Sequence, residues 1–116
     1  NKTGSVDYFN QYWHLYTSKS VTESVGEGWR SMIHPKDLPE VDHQWKIAFK
    51  DRSGFESECR VRQGRSGEYR WHLLRVVPEF DKMTMLAGWI GVLTDIHDQK
   101  MTEQELLLAK HMAEAA

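Results

Sequence analysis

Residues 55–96 read FESECRVRQGRSGEYRWHLLRVVPEFDKMTMLAGWIGVLTDI, and this stretch decides the fold. Every second residue from Phe55 to Val61 is apolar or small, and those between are charged, which is typical of a half-buried antiparallel strand. Pro78 ends the second strand, because proline cannot donate to a ladder. The predicted strands cover 55–62, 69–77 and 86–96. They form a three-stranded meander.

The sequence before this meander predicts one short strand followed by helices. His34-Pro35 separates two of the helices, since the residue before a proline avoids the helical region. The predicted elements are a strand over 5–10, an aromatic helix over 11–16, a loop or short helix over 17–26, a helix over 27–33 and a long helix over 35–52. The chain is therefore an α+β protein.

The sequence after the meander predicts a helix from Gln99 onward, with Asp98 as its N-cap. Apolar side chains recur there at alternating spacings of four and three, which indicates a weak coiled-coil register flawed by Glu105. The register positions are Met101, Glu105, Leu108, Met112 and Ala115. We therefore expect one domain over 1–98 and, over 99–116, the start of a helix that pairs with a second copy.

Composition restricts the class of protein. The 116 residues suffice for one domain, and a net charge of −2 gives no reason to expect nucleic acid or an anionic membrane as partner. The longest apolar stretches fall short of the roughly 20 residues of a membrane helix. The single cysteine, Cys59, cannot form an internal disulfide, which favours a cytoplasmic location.

Three segments, taken in order, resemble the PAS domains of bacterial sensor proteins. They are Val6-Asp7-Tyr8-Phe9-Asn10 with Trp13, Gly28-Trp29 through His34-Pro35-Lys36-Asp37, and the meander ending in Gly88-Trp89-Ile90-Gly91-Val92-Leu93-Thr94-Asp95-Ile96. The resemblance implies a five-stranded antiparallel sheet with helices on one face, enclosing a small cavity. It also implies a sensory or regulatory module of a histidine kinase or a diguanylate cyclase.

The sequence departs from that family in one respect, because the strand expected before Val6 is missing. In the family this strand lies between the strand at 6–10 and the strand at 86–96. Its loss would leave unpaired backbone on both neighbours. We therefore expect four strands, with the gap filled by another chain or with the Val6 strand displaced.

The resemblance places large aromatic side chains around the cavity, and they either line a small-molecule pocket or fill the space outright. The candidate lining residues are Tyr8, Trp13, Trp29, Ile33, Trp45, Phe55, Trp71 and Trp89. No cofactor is predicted. His43 is the only histidine placed on the long helix for a haem, and Cys59 lies on a strand rather than in the helical context of flavin photochemistry.

The candidate transmission site is the end of the last strand, at Thr94, Asp95 and Ile96, together with Asp98. Asp95 can accept a backbone hydrogen bond and pair with a basic side chain, so that the junction has two arrangements of similar energy. The alternative is that Asp95 and Asp98 only cap the helix.

No catalytic or metal-binding motif is visible. Glu56 and Glu58 share a strand face with arginines, which predicts cross-strand ion pairs, with Glu58 opposite Arg70 or Arg75. We therefore expect a non-enzymatic homodimer that signals to an effector domain of the same chain. A constitutive dimerisation module without a ligand is the alternative.

Overall fold

The computed structural model describes residues 6–115, which contain four strands, four α-helices and one 3₁₀ helix. In chain order the elements are β1 (Tyr8–Phe9), α1 (Gln11–Thr17), α2 (Val21–Ser24), the 3₁₀ helix (Gly28–Met32), α3 (Leu38–Asp51), β2 (Phe55–Arg62), β3 (Tyr69–Phe80), β4 (Leu86–Asp95) and α4 (His97–Ala115). The α+β class and the meander of β2, β3 and β4 are confirmed.

Local signals set the helix ends. Ser20 and Glu23 form a reciprocal capping box at the start of α2. Pro39 lies in the first turn of α3, where its missing N–H costs nothing. Arg52 ends α3 in the left-handed conformation, with a φ of 54°.

The sheet has the strand order β1-β4-β3-β2, and its β1–β4 pair is parallel. A wholly antiparallel sheet was expected, and the difference has a geometric reason. Two strands that each run antiparallel to a strand between them are parallel to one another, so they pair in parallel when they meet directly. Among the described residues there are four strands, as expected, and β1 is displaced onto β4. The predicted start of this strand at Ser5 lies outside the described residues.

Side chains complete the short β1–β4 ladder. The backbone N–H of Trp89 donates to Asp7 Oδ2 at 2.8 Å. The side-chain amide of Asn10 accepts from the Leu93 N–H at 3.0 Å and donates to the Leu93 carbonyl at 3.2 Å. Asn10 thereby takes the place of a strand backbone, so the β4 edge keeps its hydrogen bonds although β1 has only two residues.

Pro78 does not end β3, contrary to the sequence prediction, and the strand continues to Phe80. Pro78 pairs with Trp89, whose N–H and carbonyl both point to Asp7 on the other side. Pro78 and Trp89 therefore form a non-hydrogen-bonded pair of the ladder. The Trp89 carbonyl needs no donor from β3, so the missing N–H of Pro78 costs no hydrogen bond.

The helices up to α3 pack on one face of the sheet, here called the inner face, and the opposite side is the outer face. The buried hydrophobic core comprises Val6, Phe9, Trp13, Tyr16, Trp29, Met32, Ile33, Val41, Ala48, Phe55, Cys59, Val61, Leu74, Val76, Leu86, Trp89 and Leu93. By contrast, α4 has no buried residue and extends the molecule to 60 × 33 × 22 Å. It therefore projects from the domain instead of joining the core.

Candidate functional site

The inner face carries a packed aromatic core that contains most of the predicted cavity residues. Trp13 and Trp89 are fully buried, and Trp29 is 2% exposed. The Phe9 and Trp13 rings stack at 4.3 Å, and the Trp45 ring meets Trp89 edge-on at 4.8 Å. The predicted residues that pack in this core are Trp13, Trp29, Ile33, Trp45, Phe55 and Trp89. Their contacts favour the filled-core alternative over an open pocket.

Two predicted cavity residues point elsewhere. Tyr8 is 59% exposed because its strand neighbour Phe9 takes the inner position. Trp71 lies on the outer face because its neighbour His72 points inward and is fully buried. Neither residue can line a cavity on the inner face, so this part of the prediction is wrong.

The indole Nε1 of Trp89 is the one buried side-chain nitrogen or oxygen atom without a hydrogen-bond partner among the described residues. An unmet buried donor costs about 1–3 kcal/mol. A recess of about 250 Å³ is lined by Glu27, Trp29, Arg30, Asp42, Trp45 and Lys46. Trp45 thus contributes to the wall of the recess and also packs edge-on against the Trp89 ring.

The junction between β4 and α4 centres on Asp95. Its Oδ1 accepts from the His97 backbone N–H at 2.8 Å, and its Oδ2 accepts from Arg70 Nε at 3.0 Å. Burial alone would raise the pKa of Asp95, but these two hydrogen bonds lower it below its usual value. Asp95 therefore joins β4, β3 and the first residue of α4 through one ionised carboxylate.

Asp95, and not Asp98, caps the last helix. The helix begins at His97, so Asp98 lies inside its first turn, and Asp98 Oδ1 is 3.6 Å from the Arg70 guanidinium. The Trp71 backbone N–H donates to His97 Nδ1 at 3.1 Å, and the Ile96 N–H donates to the Trp71 carbonyl at 3.1 Å. The first turn of α4 is thereby bound to β3 as well as to β4.

A second attachment of α4 lies on the outer face around Trp71. The Arg60 guanidinium and the Lys100 ammonium lie 5.1 and 5.0 Å from the centre of the Trp71 ring. Lys100 pairs with Glu58, and Arg60 donates to Asp37 at 2.8–2.9 Å. The Arg60 hydrogen bonds lower the pKa of Asp37. The Trp71 side chain therefore couples β2 to α4.

A buried polar group, which the sequence did not single out, lies beneath the junction on the inner face. His72 is fully buried, its Nδ1 is 2.8 Å from the Arg70 carbonyl, and its Nε2 is 3.0 Å from the Tyr12 hydroxyl. The Tyr16 ring lies 4.4 Å from the imidazole. Burial raises the pKa of Tyr16 to about 12. Counting back in steps of two from the inward Leu74 would have identified His72 as an inner residue.

The sequence profile described as the PAS fold matches residues 7–93, which span β1 to β4 except the last two residues of β4. The chain belongs to the PAS fold family. Among curated proteins, this PAS domain is 36% identical over 104 residues to the peroxide stress-activated histidine kinase mak1 of Schizosaccharomyces pombe. It is 27% identical over 108 residues to sporulation kinase C of Bacillus subtilis. These matches cover 90% and 92% of the chain but 6% and 24% of the two relatives.

Solved structures show the same fold. A sensory box histidine kinase/response regulator from Burkholderia thailandensis aligns with a TM-score of 0.61 at 27% identity, over 73% of this chain and 64% of that one. The N-terminal domain of a diguanylate cyclase with PAS/PAC sensor from Marinobacter aquaeolei aligns with a TM-score of 0.61 at 17% identity, over 83% and 94%. The curated relatives, by contrast, are much longer than this PAS domain, which spans only a small part of each of the two named above.

The predicted partner of Glu58 was wrong. Residue Glu58 lies opposite Leu73 in the register, and its carboxylate contacts Lys100 of α4. Arg75 lies opposite Glu56 and pairs with it at 3.6 Å, while Arg70 pairs with Asp95. The β2–β3 register, which sequence spacing alone does not give, decides these partners.

The two residues considered for cofactors lie in different surroundings. Cys59 is fully buried, and burial raises the pKa of its thiol to about 12, so it is not a reactive thiolate. His43 is exposed on α3. Within residues 6–115 no group of three or more metal-ligating side chains comes together, and no helix is long and apolar enough to cross a membrane.

Proposed function

We propose that this PAS domain is a cytoplasmic, non-catalytic sensory module that passes its signal through α4 to an effector domain, most directly a histidine kinase. The observation that carries the proposal is the Asp95 carboxylate, which joins two strands to the start of a projecting helix. The similarity to two histidine kinases supports the choice of effector. A diguanylate cyclase is the alternative output, and a structural neighbour of that class has the same fold.

The energetics of α4 suit a transmitter. None of its residues is buried, so its orientation depends on contacts made by its first turn. Those contacts are a few hydrogen bonds and ion pairs, each contributing about 1 kcal/mol. A small movement of β4 or β3 can therefore redirect a long helix, because few contacts oppose the change.

Two alternatives for the input are compatible with this output: a bound small molecule, or no ligand at all. The unmet Trp89 N–H would gain a partner from a polar ligand atom, and the adjacent Trp45 ring is only partly buried, which makes the aromatic core our candidate ligand site. The close ring packing favours instead a constitutive dimerisation module without a ligand. A thermal shift with a metabolite panel separates them, because a ligand of the folded state raises the melting temperature with its concentration.

The test of the proposed function is Asp95→Ala in the full-length protein. The loss of the helix cap and of the Arg70 pair removes on the order of 1 kcal/mol from one arrangement of the junction. We expect the regulated effector activity to change about fivefold, while the thermal transition of the isolated domain moves by only a few degrees.

Asp51→Ala is the matched control, since Asp51 is an exposed carboxylate at the end of α3. It should leave both the regulation and the thermal transition unchanged. If Asp95→Ala regulates as the unmodified protein does, α4 is not the output element.

A further inference from the structure

Two histidines lie at the β4–α4 junction, His97 in the first turn of α4 and His72 opposite Asp95 in the strand register. Each accepts a hydrogen bond through a ring nitrogen that lacks a proton. For His97 this nitrogen is Nδ1, which accepts the Trp71 backbone N–H at 3.1 Å. A backbone N–H can only donate, so His97 Nδ1 is the acceptor. A proton on this atom would remove a hydrogen bond between α4 and β3.

The corresponding atom of His72 is Nε2. The Arg70 carbonyl, 2.8 Å from His72 Nδ1, can only accept, so Nδ1 carries the proton. Nε2 is then the lone-pair nitrogen that receives the Tyr12 hydroxyl proton at 3.0 Å. Protonation of Nε2 would reverse this hydrogen bond, so that the Tyr12 oxygen accepts it, and would place a positive charge in a fully buried ring.

Every element packed against His72 presents a titratable or charged group to it. These groups are Tyr12 and Tyr16 of α1, Cys59 of β2, Arg70 of β3, Asp95 of β4 and His97 of α4. Only Asp95, the register partner of His72, is a carboxylate. A protonated His72 would therefore compete with Arg70 and with the His97 N–H for the same carboxylate.

We propose that the β4–α4 junction is a proton-operated switch, in which protonation of His72 or His97 releases the first turn of α4 from the sheet. The proposal rests on the proposed function only in taking α4 as the output. Charging His72 draws Asp95 away from its helix cap, and charging His97 breaks its bond to Trp71.

The direction of the pH dependence follows from the environment of His72. Burial, the largest effect, lowers its pKa, and the charges of Arg70 and His97 add to this, while the Arg70 carbonyl and Asp95 oppose it. A histidine with a lowered folded pKa stabilises the fold above its unfolded pKa of about 6.5. This contribution is lost as the pH falls from about 6.5 through the lowered value. The switch therefore operates on the acid side of neutrality.

The test is an NMR titration of the 116-residue chain between pH 7.5 and 5, following the imidazole signals and the amide exchange of residues 97–101. Exchange rates are corrected for their intrinsic pH dependence. We expect protection of the first turn of α4 to fall about fivefold or more as either histidine titrates, while the core strands stay protected. His43→Gln, which removes an exposed histidine of α3, should leave this response intact.

Two non-titrating variants assign the response. In His97→Asn, Oδ1 can accept the Trp71 N–H, and in His72→Gln the side-chain amide can accept the Tyr12 hydroxyl. Each should remove its own part of the response, and the double variant should remove all of it. Asp95→Asn provides a second route to the His72 part of the response if the double variant does not fold, because a neutral amide attracts a charged His72 much less strongly than a carboxylate does.

The proposal is overturned if both histidines titrate without loss of protection, if neither titrates before global unfolding, or if the response survives in the non-titrating variants. These readouts need no effector. If the titration shows no switch, the regulatory test of Asp95→Ala still decides the proposed function. If Asp95→Ala leaves regulation unchanged, the titration still decides whether protonation releases α4.

Discussion

Single residues decide how closely β1 approaches the sheet. Gly91 lies beneath Phe9, and an added Cβ would be 2.6 Å from the ring. The ring cannot easily move, because it stacks on the fully buried Trp13. A side chain at position 91 would therefore separate β1 from β4 or disturb the core.

We expect Gly91→Ala to lower the free energy of unfolding by roughly 1–3 kcal/mol through overpacking. Chemical denaturation measures this change. Phe9→Leu in the same chain should recover part of the loss, since it removes the ring that the new methyl group meets. Additive effects of the two substitutions would show that Gly91 matters for another reason.

The histidines show why residue type alone does not assign a role. His43 is exposed on a helix, whereas His72 is buried beneath the junction and His97 accepts a backbone hydrogen bond. The three imidazoles are chemically identical, and only their neighbours distinguish them. We therefore expect the pH response of the junction to depend on His72 and His97 and not on the number of histidines in the chain.

At the scale of elements, α4 is attached to the sheet at two places. Asp95 and the Trp71 N–H bind its first residue, His97, to β4 and β3. Lys100, at the end of the first turn, contacts Glu58 and the Trp71 ring. The second attachment lies on the outer face. It consists of a cation–π contact and a partly exposed ion pair, both of which are weak individually.

We expect Trp71→Leu to loosen this second attachment by roughly 1 kcal/mol, because both cation–π contacts are lost while an apolar side chain remains. Amide exchange of residues 100–104 should quicken about fivefold, with little change in the core strands. Leu73→Ala, on the same face and opposite Glu58 and Thr94 in the register, serves as the comparison. Equal effects of the two substitutions on α4 would contradict a specific role for Trp71.

At the scale of the whole molecule, the domain is compact but its last helix is exposed from Thr102 onward. Leu106, Leu107, Leu108 and Met112 are between 57% and 72% exposed. Such a helix needs an apolar partner to be stable over its length. The coiled-coil register of the sequence makes a second copy the partner that we favour.

We therefore expect the chain to dimerise through α4, as measured by sedimentation equilibrium over a concentration series. Leu108→Glu with Met112→Glu should shift the equilibrium to monomer, because charges would face each other across the seam. Glu103→Gln with Lys110→Gln, which removes one negative and one positive charge and leaves the apolar stripe, is the control. A monomer at all concentrations would remove the dimer from the proposed function.

The local pattern determined the elements of this protein. A period of two predicted β2, the turn and β-forming residues that follow predicted β3 and β4, and helical spacing broken at His34-Pro35 predicted the helices on either side. The same alternation, followed from Leu74, also determines that His72 points inward and Trp71 outward, although the large ring of Trp71 suggested a core position. Side-chain direction and helix periodicity are local properties of the backbone, so neighbouring residues suffice to define them.

Only the tertiary structure decided which residues meet. Glu58 pairs with Lys100, β1 pairs in parallel with β4, and His72 lies next to Asp95. Each of these contacts joins segments far apart in the chain, and each depends on strand register or on the path of a projecting helix. Register and helix path result from the packing of the whole core, which no short stretch of sequence specifies.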